Sequence, residues 1–213
     1  MKGKYEWVSG PPTSKSFTTE ITNSPTFETV NGRTVECQFG SLKEGEYTGP
    51  KTERFSSITL GDCFNEAGKT CQTDPELNKS VIEDVAPVEG ELGVISGATS
   101  PTVGWELKGV LFVFVCGNEA KGLEVGEALT IEGAAIGVVT KKHGSDLDKM
   151  GRETRVEFEQ AKGKQLPEAF EGGAAAALST SRVKGVLPAT EQTAFSATEL
   201  DQYSEPLEIR TKE

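Results

Sequence analysis

Apolar residues come in short stretches, alternating with polar ones or running together for a few positions, and almost every stretch ends at glycine, proline or asparagine. SFTTEIT (16–22) and TFETV (26–30) are rich in β-branched and aromatic residues, with Ser24-Pro25 between them. Asn31-Gly32 joins TFETV to RTVECQF (33–39), a dipeptide suited to a two-residue hairpin because both central residues need positive φ. Residues 46–48 and 52–60 read as a second hairpin across Gly49-Pro50, with Phe55, Ile58 and Leu60 as its apolar side chains. Residues 72–89 are polar and broken by Asp74-Pro75 and Pro87. LGVIS (92–96), VGWELK (103–108) and VLFVFVC (110–116) are the most apolar part, and their continuous apolarity predicts strands covered on both faces.

LEV (123–125), LTIEG (129–133) and AIGVVT (135–140) extend the pattern. RVEFEQ (155–160) alternates, Val156 and Phe158 facing one way and Glu157 and Glu159 the other, which predicts one wet face. In LPEAFEGGAAAALST (166–180) Gly172-Gly173 interrupts the alanine run, leaving one short turn around 167–170. TAFSAT (193–198) and PLEIRT (206–211) are the last two strands. Apolar spacing of three and four never persists for ten residues, so α/β folds and helical bundles fit poorly. The expected fold is all-β: a single-domain antiparallel β-sandwich or flattened β-barrel of roughly twelve strands over residues 17–213. Residues 1–16 are read as an extended leader or arm.

Charge narrows the partners. The net charge is −11, the acids are spread along the chain, and Lys141-Lys142 is the only basic cluster, so electrostatics oppose nucleic acid and anionic membrane surfaces. The longest apolar run, GVLFVFVC (109–116), is far short of the roughly 20 residues that span a bilayer as a helix. MKGKYEWVSGPP holds no stretch of signal-peptide length and no small-residue cleavage site, so a secretion signal is either already removed or was never present.

The four cysteines lack C-x2-4-C zinc spacing and any C-x-x-C redox pair, which leaves disulfides or buried reduced thiols. The pairing expected is Cys63 with Cys71 and Cys37 with Cys116, one of three connectivities open to four cysteines. Disulfides would place the folded protein outside the cytoplasm.

Candidate chemistry is sparse. His143 sits beside Ser145 and Asp146, but neighbours within one turn cannot converge as a catalytic relay, and no G-x-S-x-G elbow occurs. Asp146, Asp148, Gly151 and Glu157 fall at positions one, three, six and twelve of a calcium loop, yet position five is Met150 and the flanks look like strands. These residues form a weak metal candidate, and no cofactor is expected. Glu157 and Glu159 are read as solubilising an edge. Trp105 is expected in the core and Trp7 as an exposed contact. Asn78-Lys79-Ser80 is a formal glycosylation acceptor.

TVECQF, EGEYTGPKT, ITLGDC, VEGELGVIS, FVCG, GVVTKKHGSDLDKM, AKGKQLPEAFEGG and PLEIRTKE, in that order, resemble a family of β-rich proteins of soil actinobacteria to which no activity is assigned. The likeness runs from about residue 26 to the C-terminus, and the cysteine positions fit it. It implies secretion and a β-rich fold, and supplies no substrate or catalytic residue.

These observations point to a secreted or cell-surface β module that binds a protein or surface glycan, or assembles into a filament or shell through its leader or its last strand. The competing expectation is a secreted polysaccharide hydrolase using paired carboxylates in a cleft, a catalytic pair that no motif identifies.

Overall fold

The computed structural model describes residues 4–8, 16–73, 80–84, 87–98, 100, 102–117, 127–140, 147–173, 175–184 and 187–212, and every regular element among them is a β-strand. The first third of the chain supplies β1 (Lys4–Val8), β2 (Ser16–Ile21), β3 (Thr26–Thr29), β4 (Thr34–Glu36), β5 (Phe39–Tyr47), β6 (Thr52–Phe55), β7 (Ser57–Gly61), β8 (Phe64–Asn65) and β9 (Cys71–Gln72). There follow β10 (Ile82–Asp84), β11 (Val88–Val94), β12 (Val103–Cys116), β13 (Glu127–Thr140), β14 (Gly151–Ala161), β15 (Lys164–Leu166), β16 (Leu178–Lys184) and β17 (Leu187–Lys212). The sequence pattern suggested roughly twelve strands. The described residues form more because turns and bulges cut the first third into short pieces, while two expected pairs, 129–133 with 135–140 and 193–198 with 206–211, merge into β13 and β17.

The Asn31-Gly32 hairpin forms, with one more residue in its turn than expected. The Thr29 N–H donates to the Arg33 carbonyl at 2.9 Å and the Gly32 N–H to the Thr29 carbonyl at 2.9 Å. Gly32 takes φ 79°, so the loop is a three-residue turn closed by a left-handed glycine, and Val30 is pushed outward. The second hairpin forms between β5 and β6, with Tyr47 opposite Glu53, and a break at Ser56 lets β7 pair with the first half of β5.

All pairings among the described residues are antiparallel, and two large circuits of them enclose the core. One circuit runs β17–β2–β5–β6–β11–β12–β13–β14 and returns to β17. The other runs β12–β13–β16–β17–β3–β4–β8 and returns to β12 through a Phe64–Thr70 bridge and β9. The long strands β12, β13 and β17 serve both. A chain of ring contacts, Trp7–Tyr47–Phe17–Phe55–Trp105–Phe158–Phe195–Phe27–Phe112, threads the shared interior at centroid distances of 4.8 to 6.0 Å.

Three expectations change. Trp7 is not an exposed contact. β1 pairs along the end of β17, from Lys4 opposite Lys212 to Val8 opposite Glu208, and Trp7 is 4% exposed against Tyr47. The disulfides join Cys37 to Cys63 and Cys71 to Cys116, not Cys63 to Cys71. Cys63 and Cys71 are backbone neighbours, the Cys71 N–H donating to the Cys63 carbonyl at 2.8 Å, but each side chain is bonded to a different strand region. Finally, β12 is covered on both faces only over residues 103–105, where Phe170 and Ile95 pack on Gly104. Past a bulge between Lys108 and Val110 it alternates, leaving Leu111 42% and Val113 50% exposed.

No helix of the described residues is long and apolar enough to cross a membrane.

Candidate functional site

The residues singled out by sequence do not assemble into a site. His143, Ser145 and Asp146 lie outside the described residues, as do Lys141-Lys142, Asn78 and 123–125. Asp148 is exposed in a turn, and Glu157 sits on β14 with the Arg155 guanidinium 3.5 Å away. Among the described residues no group of three His, Cys, Asp or Glu is placed to hold a metal ion. Trp105 is 1% exposed, in the core as expected.

The structure gathers other residues instead. In the first circuit, which we call the acid lobe, β17 turns Glu199, Asp201 and Tyr203 inward, and β6 adds Glu53. The three carboxyl-bearing residues are 1 to 3% exposed. Thr19 on β2 and Thr154 on β14 stand opposite Asp201 on its two sides, and the Thr19 hydroxyl donates to Asp201 Oδ1 at 2.5 Å. Tyr47 is the cross-strand partner of Glu53, and its ring centroid lies 6.0 Å from that of Tyr203. The Trp105 indole covers Gly90, where a Cβ would fall 2.2 Å from the ring, so only glycine lets the indole lie against β11 beside Glu53.

The carboxyl oxygens of Glu199 have no hydrogen-bond partner, and the Trp105 indole is turned toward Glu53 and the Tyr203 hydroxyl toward Thr154 and Tyr47 without a well-formed bond. Burial raises all three carboxyls: Asp201 to about 7, burial outweighing the Thr19 bond, and Glu53 and Glu199 well above the ordinary range, where the neighbouring Asp201 adds to both and Glu199 adds to Glu53. Burial raises Tyr47 and Tyr203 likewise. Gln165 shows what a satisfied buried polar group looks like here. Its amide donates to the Glu159 and Phe195 carbonyls at 2.9 and 3.0 Å and accepts from the Phe195 N–H at 3.0 Å, tying β15 to β14 and β17.

The second circuit, the disulfide lobe, carries a cleft of about 70 Å³. Its walls are Phe27, Val35, Phe114, Leu129 and Ile131, with Cys116 of one disulfide at the side. Thr180 and Thr193 share a hydrogen bond at 2.5 Å in its wall, Thr29 stands nearby, and Arg33, Asn65 and Glu66 form a polar rim. The mouth is held by short strands that both disulfides fasten.

Sequence reading missed the acids because their pattern competes with itself. Phe195, Ala197, Glu199, Asp201 and Tyr203 share one face, so the inward register of Phe195 carries the two acids into the core. A reader who assumes acids face water would turn the strand over, guided by Leu200.

Comparison of the chain with protein-family models, with curated proteins and with solved structures gives no match.

Proposed function

We propose that the chain is a secreted or cell-surface binding module that performs no chemistry, built as a flattened β-barrel. The observation that carries this reading is the cleft of the disulfide lobe: concave, mostly apolar, with a few oriented hydroxyls and a polar rim, the usual make-up of a ligand site in the mouth of a β-barrel. Its 70 Å³ is roughly half the ~150 Å³ that takes benzene. The cleft thus suits a short branched alkyl or acyl end, from a free ligand or a partner's side chain, better than a sugar ring. Disulfides compatible with an extracellular protein support the location, as does the resemblance to secreted actinobacterial proteins.

Assembly through the termini gains less support, because β1 and the end of β17 already pair within one chain. The hydrolase reading gains less support: Glu53 borders the depression over β6 and β11 that Glu91 lines, but its carboxyl oxygens are buried, Glu199 and Asp201 are buried too, and Glu91 is held low by Lys108 and Lys51 despite partial burial. Saturation-transfer NMR with isovalerate and isobutanol tests the proposal. Transfer to these probes, lost in Leu129→Trp, is expected; no transfer to the wild type, or equal transfer to the variant, contradicts it.

A further inference from the structure

The acid lobe holds Glu53, Glu199 and Asp201 with no buried base. Among the described residues the buried polar and charged side chains are Thr, Gln, Asp and Glu, with no Lys, Arg or His. The groups facing the acids can be taken element by element. β5 contributes Tyr47 and β17 Tyr203; β2 and β14 contribute the hydroxyls of Thr19 and Thr154; β12 contributes the Trp105 indole; β11 contributes only Gly90. β1 adds Trp7, packed edge-on against Tyr47 at 5.0 Å. Every titratable group in this set becomes anionic when it loses a proton.

The nearby cations are engaged on the outer face. Lys108 pairs with Glu91 at 2.6 Å and Glu106 at 3.1 Å, Lys51 pairs with Glu91, Arg54 lies 3.6 Å from Glu46, and Arg155 pairs with Glu157. Lys108, Arg54 and Arg155 are on the solvent side of strands whose alternate residues face the acids, and Lys51 stands just before β6.

A carboxylate in such an interior has lost its hydration and gains no counter-charge, and the second and third ionisations add like-charge repulsion. The folded lobe therefore keeps protons that the unfolded chain gives up near pH 4.

We propose that the three acids form a proton-held lock: the acid lobe stays closed while its carboxyls are protonated and loosens in alkaline solution, with the disulfide lobe remaining shut. β1 is the element expected to yield first, since among the described residues its only ladder is to β17, joined by one backbone bond from the Trp7 N–H to the Pro50 carbonyl at 2.9 Å and by the packing of Trp7 on Tyr47. Its release uncovers the edge of β17 from Glu208 to Lys212.

The direction follows from proton counting. Between the unfolded carboxyl pKa and the higher folded values, the native state binds more protons, so stability is complete at acid pH and declines as pH rises through the folded values. For Asp201 the decline spans about pH 4 to about 7, and for Glu53 and Glu199 it continues higher.

Two measurements below pH 9, where ordinary tyrosines stay protonated, decide the matter. The first is side-chain carboxyl 13C NMR titration of the wild-type protein: resonances of Glu53 and Glu199 without an inflection near pH 4 are expected. The second is urea unfolding followed by tryptophan fluorescence, which reports this lobe because Trp105 borders Glu53 and Trp7 packs on Tyr47, the cross-strand partner of Glu53. The wild-type unfolding constant should rise at least about tenfold from pH 5 to pH 8.5, and that rise should shrink in Glu53→Gln and Glu199→Gln, which copy the protonated acid. Normal carboxyl titration near pH 4, or parallel pH profiles in wild type and variants, overturns the proposal. Should the variants fail to fold, the wild-type titration decides alone.

Discussion

The acid lobe and the disulfide lobe share β12, β13 and β17 and one run of aromatic contacts, yet they are closed by different means. Short strands of two to four residues, β3, β4, β8 and β9, complete the disulfide lobe, and covalent bonds fasten the last of them. Their ladders are too brief to hold register alone, so cross-links there restrain the chain where hydrogen bonding is thinnest. The acid lobe has no cross-link. Its strands are longer, its aromatic packing is dense, and it tolerates three acids at a cost that depends on protons. The lesson is that one sheet can place its covalent and its pH-sensitive supports at opposite ends, leaving the cleft on the rigid one.

The contrast is broken most severely by removing the cross-links. The Cys71–Cys116 bond spans a sequence separation of 45 and Cys37–Cys63 one of 26. Chain-entropy arguments give each about 3 to 4 kcal/mol. Reduction, or Cys71→Ala with Cys116→Ala, should lower the urea midpoint sharply and abolish probe binding in the cleft, with the alkaline fluorescence change of the acid lobe retained. Trp7→Ala acts on the other lobe. It should cost about 3 kcal/mol by chemical unfolding, because a buried indole and its edge contact with Tyr47 are lost, and leave binding in the cleft intact.

Gln165→Leu comes next. It leaves the Phe195 N–H and the Glu159 carbonyl without their buried partner, at about 2 kcal/mol in unfolding free energy, with no change in pH dependence since no charge is involved. The smallest effect is expected at Val113→Thr, within about 0.5 kcal/mol, because that side chain faces solvent despite its apolar surroundings in sequence.

How much of this was readable beforehand depends on which physical signal each residue carries. Asn31-Gly32 announced its hairpin through backbone requirements that do not depend on distant contacts, and RVEFEQ announced β14 through alternation that the fold preserves. VLFVFVC misled because Leu111 and Val113 look like core, whereas the bulge after Lys108 and the covering strands decide which face is shielded. The disulfide partners followed chain proximity in expectation. In the fold Cys63 and Cys71 do lie side by side, but each is spent on another strand region, a choice made by tertiary pairing. The buried acids were least legible: only the period-two register running back to Phe195 exposes them, and hydrophobicity argues the opposite.

Amide hydrogen exchange at pH 5 and pH 8.5, corrected for intrinsic rates, tests the division between lobes most directly. Protection should fall at the higher pH in β1, β2, β5, β6 and residues 199–203 of β17, and stay level in β3, β4, β8, β9 and β16. Equal loss in both sets, or constant protection throughout, would contradict a proton-held lobe beside a covalently held one.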